Sequence, residues 1–137
     1  MIIDAKDLIA GRIATVAAKK ALLGEEVSIV NAELAVITGR KKNIMEKYKA
    51  RANRGNPHHG PFQPKTPDKM LRRMIRGMLP HKQGKGKLAL KRIKCYKGIP
   101  EEFKNKKLET IEKANIAKIQ NLRYLSIGQI CQSLKQR

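Results

Sequence analysis

Residues 65–94 read KTPDKMLRRMIRGMLPHKQGKGKLALKRIK, a stretch in which a predicted helix is followed by a basic, glycine-rich run. Its first part predicts a helix, because Thr66 can cap the amino end, Pro67 suits the first helical position and Asp68 favours the positive end of the dipole. Pro80 should end the helix, since a proline disfavours helical backbone in the residue before it. The HKQGKGK that follows is glycine-rich and basic, and we expect a loop there.

The predicted helix has a basic face and an apolar face. Cations recur at the spacing i, i+3, i+4 and i+7, which aligns them on one stripe: Lys69, Arg72, Arg73 and Arg76. Large apolar residues fill the other side: Met70, Leu71, Met74, Ile75, Met78 and Leu79. Like charges repel on an isolated helix, and no acid alternates with these bases as on an ordinary solvated face. The stripe therefore indicates a polyanionic partner.

The whole composition also indicates an anionic partner. The 137 residues include 31 Lys and Arg against 11 Asp and Glu, a formal net charge of +20. Such an excess opposes compactness unless a partner screens it, and nucleic acid is the leading candidate, with an anionic membrane second. The length suits one domain with a buried core. That core should be aliphatic, because aromatic residues make up only 4% of the chain.

The positive charge is concentrated in the middle of the chain. Residues 1–39 have a net charge of −1, residues 40–94 a net charge of +16, and residues 95–137 a net charge of +5. This pattern suggests a nearly neutral scaffold that presents a basic binding segment. We expect one domain over 1–137, with a basic binding segment at 40–94 and a C-terminal extension at 104–137.

The other apolar patterns predict an α/β fold. Four short apolar runs suit strands: Met1–Asp4, Val27–Asn31, Ala35–Thr38 and Ile93–Tyr96. A helix between Asp7 and Gly24 joins the first two runs, and a strand–helix–strand unit implies parallel strands with helices packed on the sheet.

Two further helices complete the prediction. Residues 39–55 should form a helix with Ile44 and Tyr48 inward and basic side chains outward. Ser126 should cap a C-terminal helix whose apolar face follows the helical spacing: Ile127, Ile130, Cys131 and Leu134. Leu88–Lys91 is predicted to add one more helical turn.

The segment 56–67, NPHHGPFQPKTP, predicts a proline-rich loop. His58 and His59 have no Cys or acid nearby, so they are weak candidates for metal ligands. Phe62 has two open interpretations, stacking on a base or packing back on the core.

Other motifs argue against a cofactor. DAKDLIAGRIA has one glycine where a dinucleotide fingerprint needs three, and GKGK lacks the spacing and the Ser or Thr of a phosphate-binding loop.

Cys95 and Cys131 form no metal-type cluster and suggest reduced, buried thiols in an intracellular protein. No apolar run approaches the ~20 residues of a membrane span, and MIIDAKD lacks the signal-peptide pattern. We expect no cofactor, metal, membrane partner or small-molecule substrate.

Four stretches carry a resemblance to a known family: IIDAKDLIAGRIA (2–14), VNAELAVITG (30–39), PDKMLRRMIRGMLPHKQGKGK (67–87) and IKCYKGIP (93–100). Together they resemble the large-subunit ribosomal protein L-thirteen family in its archaeal and eukaryotic form, over roughly residues 1–103. The RGMLP core at 76–80, with a glycine a few residues later, is the specific signature.

The resemblance implies a three-layer α/β/α single domain with a four-stranded parallel sheet in the order 3-2-1-4. It implies a structural protein of the cytoplasmic large ribosomal subunit that binds large-subunit rRNA, lies beside neighbouring large-subunit proteins and supports assembly and translation. Within the signature, Arg76 would face RNA, whereas Met78 and Leu79 would pack inward.

Two rival functions remain. An enzyme acting on nucleic acid would need a metal-binding acid cluster, an activated nucleophile or a cofactor loop, yet the basic segment holds only Glu46 and Asp68 as acids. A DNA-binding protein would use the predicted helix to read the bases, but that helix has no Asn or Gln to recognise adenine. We therefore expect RNA binding without catalytic residues. The candidate RNA-binding residues are cations of the basic segment: Arg40, Lys41, Lys42, Lys49, Arg51, Arg54, Lys65, Lys69, Arg72, Arg73, Arg76, Lys82, Lys85, Lys87, Lys91 and Arg92.

Overall fold

The computed structural model describes residues 1–120 and 122–136, which form a mixed α/β fold. The strands in this part of the chain are β1 (Ile2–Asp4), β2 (Val27–Val30), β3 (Val36–Thr38), β4 (Ile93–Cys95) and β5 (Tyr124–Ser126). The helices are α1 (Ala10–Leu22), α2 (Lys41–Asn53), α3 (Pro67–Gly77), α4 (Gly84–Lys91) and α5 (Ile127–Lys135). Single 3-10 turns cover Ala32–Leu34, Glu101–Phe103, Glu112–Ala114 and Ile116–Lys118.

A parallel sheet of β1, β2 and β4 lies at the centre of the fold, with β2 in the middle. Its register places Ile3 beside Ile29, and Ile29 beside Cys95. Because β1 and β2 are parallel neighbours joined by α1, the βαβ unit predicted from the sequence is confirmed.

The predicted membership of this sheet is wrong for the run at Ala35–Thr38. β3 pairs antiparallel with β5, where Val36 lies opposite Ser126, and it does not enter the parallel sheet. A four-stranded sheet in the order 3-2-1-4 with this run as its third strand is therefore not formed. The reason is that β1 and β4 already occupy both edges of β2. The left-handed backbone of Asn31 (φ 55°) and the 3-10 turn after it lead the chain away.

The charged segment 104–118 runs along the N-terminal elements. The amide of Asp4 donates to the carbonyl of Glu109 at 3.0 Å, and the amide of Glu109 donates to that of Ile2 at 2.8 Å. Further along, the amide of Ile9 donates to the carbonyl of the buried Ala114 at 2.8 Å. The two bonds of Glu109 cover the outer edge of β1, which would otherwise present unpaired backbone groups.

One aliphatic core extends from Ile3 on β1 to Leu134 on α5, as the composition predicted. Ile3, Ile29 and Ile93 are fully buried on one face of the sheet. The alternate positions vary, since Val30 is buried, Ser28 is half-buried and Lys94 is exposed.

Helix α3 begins at the predicted residue but ends two residues before the predicted end at Leu79, and two of its predicted side-chain roles are wrong. It begins at Pro67 and ends at Gly77, before Pro80. Thr66 occupies the cap position, yet its side chain makes no cap hydrogen bond and its buried Oγ1 has no partner among the described residues. Met78 is 46% exposed, whereas Leu79 is buried as predicted. The helix ends one residue before Met78, so helical spacing no longer sets the direction of its side chain.

The glycine-rich stretch is a helix and not the predicted loop. Helix α4 begins at Gly84, and Gly86 is buried in its first turn. A Cβ at Gly86 would lie 2.1 Å from the carbonyl oxygen of Pro80, whereas one at Gly84 would meet nothing within 4 Å. Gly86 thus allows α4 to pack directly on the turn that follows α3.

We predict that Gly86→Ala destabilises the protein although alanine favours helices. The added methyl overlaps backbone atoms that cannot rotate away, and overpacking of this kind costs about 1–3 kcal/mol. Gly84→Ala is the matched control in the same turn; it should be neutral or stabilise by up to ~1 kcal/mol. Urea unfolding of both variants measures the difference, and equal midpoints would contradict the prediction.

The two cysteines occupy apolar positions. Cys131 is buried on α5, where its Sγ lies 4.0 Å from the Sδ of Met70, and Cys95 is half-buried on β4. Burial raises the pKa of the Cys95 thiol to about 12 and that of Cys131 to about 11. Both thiols are therefore protonated at neutral pH, as expected of structural cysteines.

We predict slow alkylation of both cysteines in the folded protein. The thiolate is the reactive form, and its fraction at pH 8 falls by roughly 100-fold when the pKa rises by two units. Iodoacetamide labelling followed by mass spectrometry should show this protection in buffer and its loss in urea. Equal labelling rates in the two conditions would contradict the raised pKa values.

Candidate nucleic-acid interface

Three helices and their flanks carry the predicted binding residues, and all of these residues are exposed except Lys49 and Arg92, which are half-buried. On and beside α2 lie Arg40, Lys41, Lys42, Lys49, Arg51 and Arg54. On α3 and the loop before it lie Lys65, Lys69, Arg72, Arg73 and Arg76. On and beside α4 lie Lys82, Lys85, Lys87, Lys91 and Arg92.

The two faces predicted for α3 are confirmed. Its four cations are exposed, while Met70, Leu71 and Ile75 are at most 1% exposed. On α2, Ile44 and Tyr48 point inward as predicted. The basic side chains are thus presented by helices whose other sides are fixed in the core.

Two arginines of α3 also hold neighbouring segments. Arg73 donates from Nη1 to the carbonyl of Phe62 at 2.9 Å, and Arg72 donates from Nη2 to the carbonyl of Leu90 at 3.2 Å. Each bond uses one of five guanidinium donors, so the remaining donors are available to a ligand. Lys69 and Arg76 make no side-chain hydrogen bond or ion pair with any described residue.

Carboxylates do not neutralise the basic segment. Within residues 1–120 and 122–136, the ion pairs are Lys20–Glu25 at 2.9 Å and Lys104–Glu101 at 3.7 Å, both outside residues 40–94. Uncompensated charge of one sign produces an extended positive potential that attracts anions.

The tertiary structure brings α2 and α3 to a common surface. A cleft of about 360 Å³ is lined by Arg51 and Arg54 from the α2 side and by Arg73 from α3. The guanidinium of Arg51 lies 5.7 Å from the ring centre of Tyr48, within cation–π distance, and burial raises the pKa of Tyr48. A second cleft, of about 540 Å³, lies between the α3 cations and Phe62 and Leu90. Arg73 lines both clefts, so they meet at this residue.

One of the predicted binding residues contacts α1 in the structure, and one lysine outside the predicted set is a further candidate for the binding surface. Arg92 donates to the carbonyl of Ala21 in the last turn of α1 at 3.3 Å, which is a C-terminal helix contact. Lys94, absent from the predicted set, is exposed on β4 and lines a cleft of about 270 Å³ with Lys69 and Arg72. The alternation of β4, with Ile93 inward and Lys94 outward, was the signal that could have identified it.

His58 and His59 are exposed in the proline-rich loop. Across the described ranges, no group of three or more His, Cys, Asp or Glu side chains is placed to hold a metal ion. None of the helices described is both long enough and apolar enough to span a membrane.

Comparisons with known proteins agree with the resemblance noted in the sequence. Residues 1–102 match the profile of the family described as Ribosomal protein L13. The chain is 44% identical to the large ribosomal subunit protein uL13 of Methanococcoides burtonii, over 97% of this chain and 96% of that protein. It is 42% identical to the uL13 proteins of Methanosarcina barkeri (97% and 96% covered) and Haloarcula marismortui (98% and 90%). With matches of this extent, the chain belongs to the ribosomal protein L13 family, in its archaeal form.

Proposed function

We propose that the protein is a structural constituent of the large ribosomal subunit, in the cytoplasm, where it binds large-subunit rRNA and supports subunit assembly and translation. The observation that carries this proposal is the exposed cation stripe of α3, which no described carboxylate neutralises. The relatives, which are named as large ribosomal subunit proteins, support it. Neighbouring large-subunit proteins are its further partners.

The basic surface binds RNA mainly through phosphates. Arginine presents a planar fork of donors that can grip a phosphate oxygen pair, and lysine adds a point charge. Phosphate contacts fix position and orientation on the RNA without reading sequence. The cations of 40–94 named above act in this way, with Lys94 added and with Arg92 contributing less because its guanidinium serves α1.

Binding without turnover fits this surface better than catalysis. The acids of the basic segment are Glu46, exposed on α2, and Asp68, half-buried in the first turn of α3. They lie on different helices and belong to no metal-type group among the described residues. A defined rRNA fragment should bind more tightly than duplex DNA, and neither should be cleaved.

The domain organisation belongs to the same proposal. One domain carries the basic segment 40–94 and the C-terminal extension 104–137, supported by the core shared between Ile3 and Leu134. The segment at Glu109 forms an isolated parallel bridge with Ile3 and would place a fourth strand beside β1, giving the spatial order β4, β2, β1, Glu109. This differs from the numbering expected from the sequence, in which Ala35–Thr38 was the third run and the run at Ile93 the fourth strand.

Sedimentation provides the direct test of the function. After a wash in high salt, the protein should remain with large ribosomal subunits and be absent from the small-subunit fraction. Release into the soluble fraction at modest salt, or co-sedimentation with small subunits, would contradict the proposal.

We predict a steep dependence of RNA affinity on salt. Each phosphate neutralised releases condensed counterions, so the slope of log affinity against log salt should be about −0.7 to −0.9 per phosphate. Fluorescence anisotropy with a labelled rRNA fragment at several KCl concentrations measures the slope. A slope near zero would exclude a phosphate-dominated interface.

We predict that Arg76→Ala weakens rRNA binding by about 10- to 100-fold, since a hydrogen bond to a charged group contributes ~1.5–3 kcal/mol. Stability should stay unchanged or rise slightly, because like-charge repulsion on α3 is relieved. Arg72→Ala should lose both binding and stability, because it also removes the bond to Leu90. Ile75→Ala should cost ~2–5 kcal/mol of stability and reduce binding only through unfolding.

Lys19→Ala, at an exposed position of α1 outside the basic segment, is the matched control for the loss of one charge. It should change RNA affinity much less than Arg76→Ala. Thermal melts and binding assays on all four variants decide the matter. If Arg76→Ala lowers the melting temperature while Ile75→Ala leaves it unchanged, the two faces of α3 have been assigned the wrong way round.

A further inference from the structure

The cleft of about 540 Å³ beside α3 has more than a charged lining. Phe62 and Gln63 from the proline-rich loop form one wall, Leu90 of α4 forms the other, and the α3 cations line the space between them. Its volume falls within the range of roughly 300–1,000 Å³ typical of small-ligand sites. The cleft can therefore admit a flat ring and not only a phosphate group.

Both walls are fixed to α3 by the arginines already described. The Arg73 guanidinium holds the backbone of Phe62, and that of Arg72 holds the backbone of Leu90. The cleft is thus formed by the folded chain itself before any ligand binds, which lowers the entropic cost of binding.

The side chain of Phe62 is exposed to solvent. Phe62 is 67% exposed, whereas Phe103, the other phenylalanine of the chain, is buried. The interpretation of Phe62 as a residue packing back on the core is therefore excluded. An exposed aromatic ring beside cations is the combination that binds single-stranded nucleic acid, because bases stack on the ring while the cations follow the backbone.

The lining charge favours an anionic occupant. Lys69 and Arg76, which have no partner among the described residues, lie seven residues apart on α3, about 10.5 Å along the helix axis. An apolar side chain of a neighbouring protein would fill the space beside Phe62 and Leu90 but would leave both cations desolvated and unpaired, which is costly. A nucleotide satisfies both parts of the lining.

Building on the proposed rRNA-binding function, we propose that this cleft holds one unstacked nucleotide of the rRNA, with its base stacked on Phe62 and its flanking phosphates on Lys69 and Arg76. The amide of Gln63 supplies a donor and an acceptor for the edge of the base. Stacking on an aromatic ring accommodates every base, so the site selects an unpaired nucleotide and not a sequence.

The absence of tryptophan from the chain permits a direct test. Phe62→Trp introduces a single indole, whose fluorescence should be quenched by a short single-stranded RNA but not by an abasic strand of the same length. Phe62→Leu should weaken binding of the base-containing strand by about 5- to 100-fold and leave the abasic strand unaffected. It should also leave the salt slope unchanged, whereas Arg76→Ala should weaken both strands and reduce the slope.

Leu23→Ala is the matched control, because Leu23 is 71% exposed at the end of α1 and does not line the cleft. It should alter neither affinity nor melting temperature, and Phe62→Leu should keep the wild-type melting temperature. The inference is overturned if Phe62→Leu binds both strands as tightly as the wild type while the rRNA fragment still binds. Loss of rRNA binding by the wild-type protein would instead refute the proposed function.

A third outcome identifies a different occupant. If Phe62→Leu retains full affinity for RNA but fails to enter subunits reconstituted with their other proteins, the cleft is a protein contact and the nucleotide site is excluded.

Discussion

Burial of the apolar side of α3 is the interaction on which the rest of the structure depends. Met70, Leu71 and Ile75 are essentially inaccessible to water, and each such side chain contributes about 1.5–3 kcal/mol relative to exposure. Repulsion among the cations on the opposite face costs only ~0.2–0.5 kcal/mol per neighbouring pair. Burial therefore outweighs repulsion, and the helix can hold its cations together in the absence of RNA. Packing of α3 against α1, α5 and β4 then fixes its orientation.

The cations of α3 serve the fold and also line the proposed interface. Through single hydrogen bonds, Arg72 and Arg73 hold α4 and the proline-rich loop to α3, and both residues remain exposed with further donors available. Arg76 and Lys69 have no such task within the described chain. A guanidinium with five donors can act in both ways, which a lysine would do less well because it lacks the planar fork. The proposed interface thus includes side chains that also hold neighbouring segments of the fold.

Local features of the sequence predicted much of the fold. The two faces of α3, its end before Pro80, the βαβ unit and the cap of α5 by Ser126 all depend on residues close in the chain. Helical spacing failed at Met78 because the helix had already ended. The glycines of GKGK were interpreted as a loop signal, although Gly86 is required by contact with the backbone of Pro80, a feature that no local pattern reveals.

The sequence by itself indicated an anionic partner, since net charge and its concentration in 40–94 are properties of composition. It also determined which faces of the helices are buried, because apolar periodicity sets them. Only the tertiary structure decided the pairing of β3 with β5, the cover of β1 by Glu109 and the meeting of α2 and α3 at Arg73. Each of these depends on contacts between residues distant in the chain. Such contacts are selected by which edges and surfaces remain free once the core has packed.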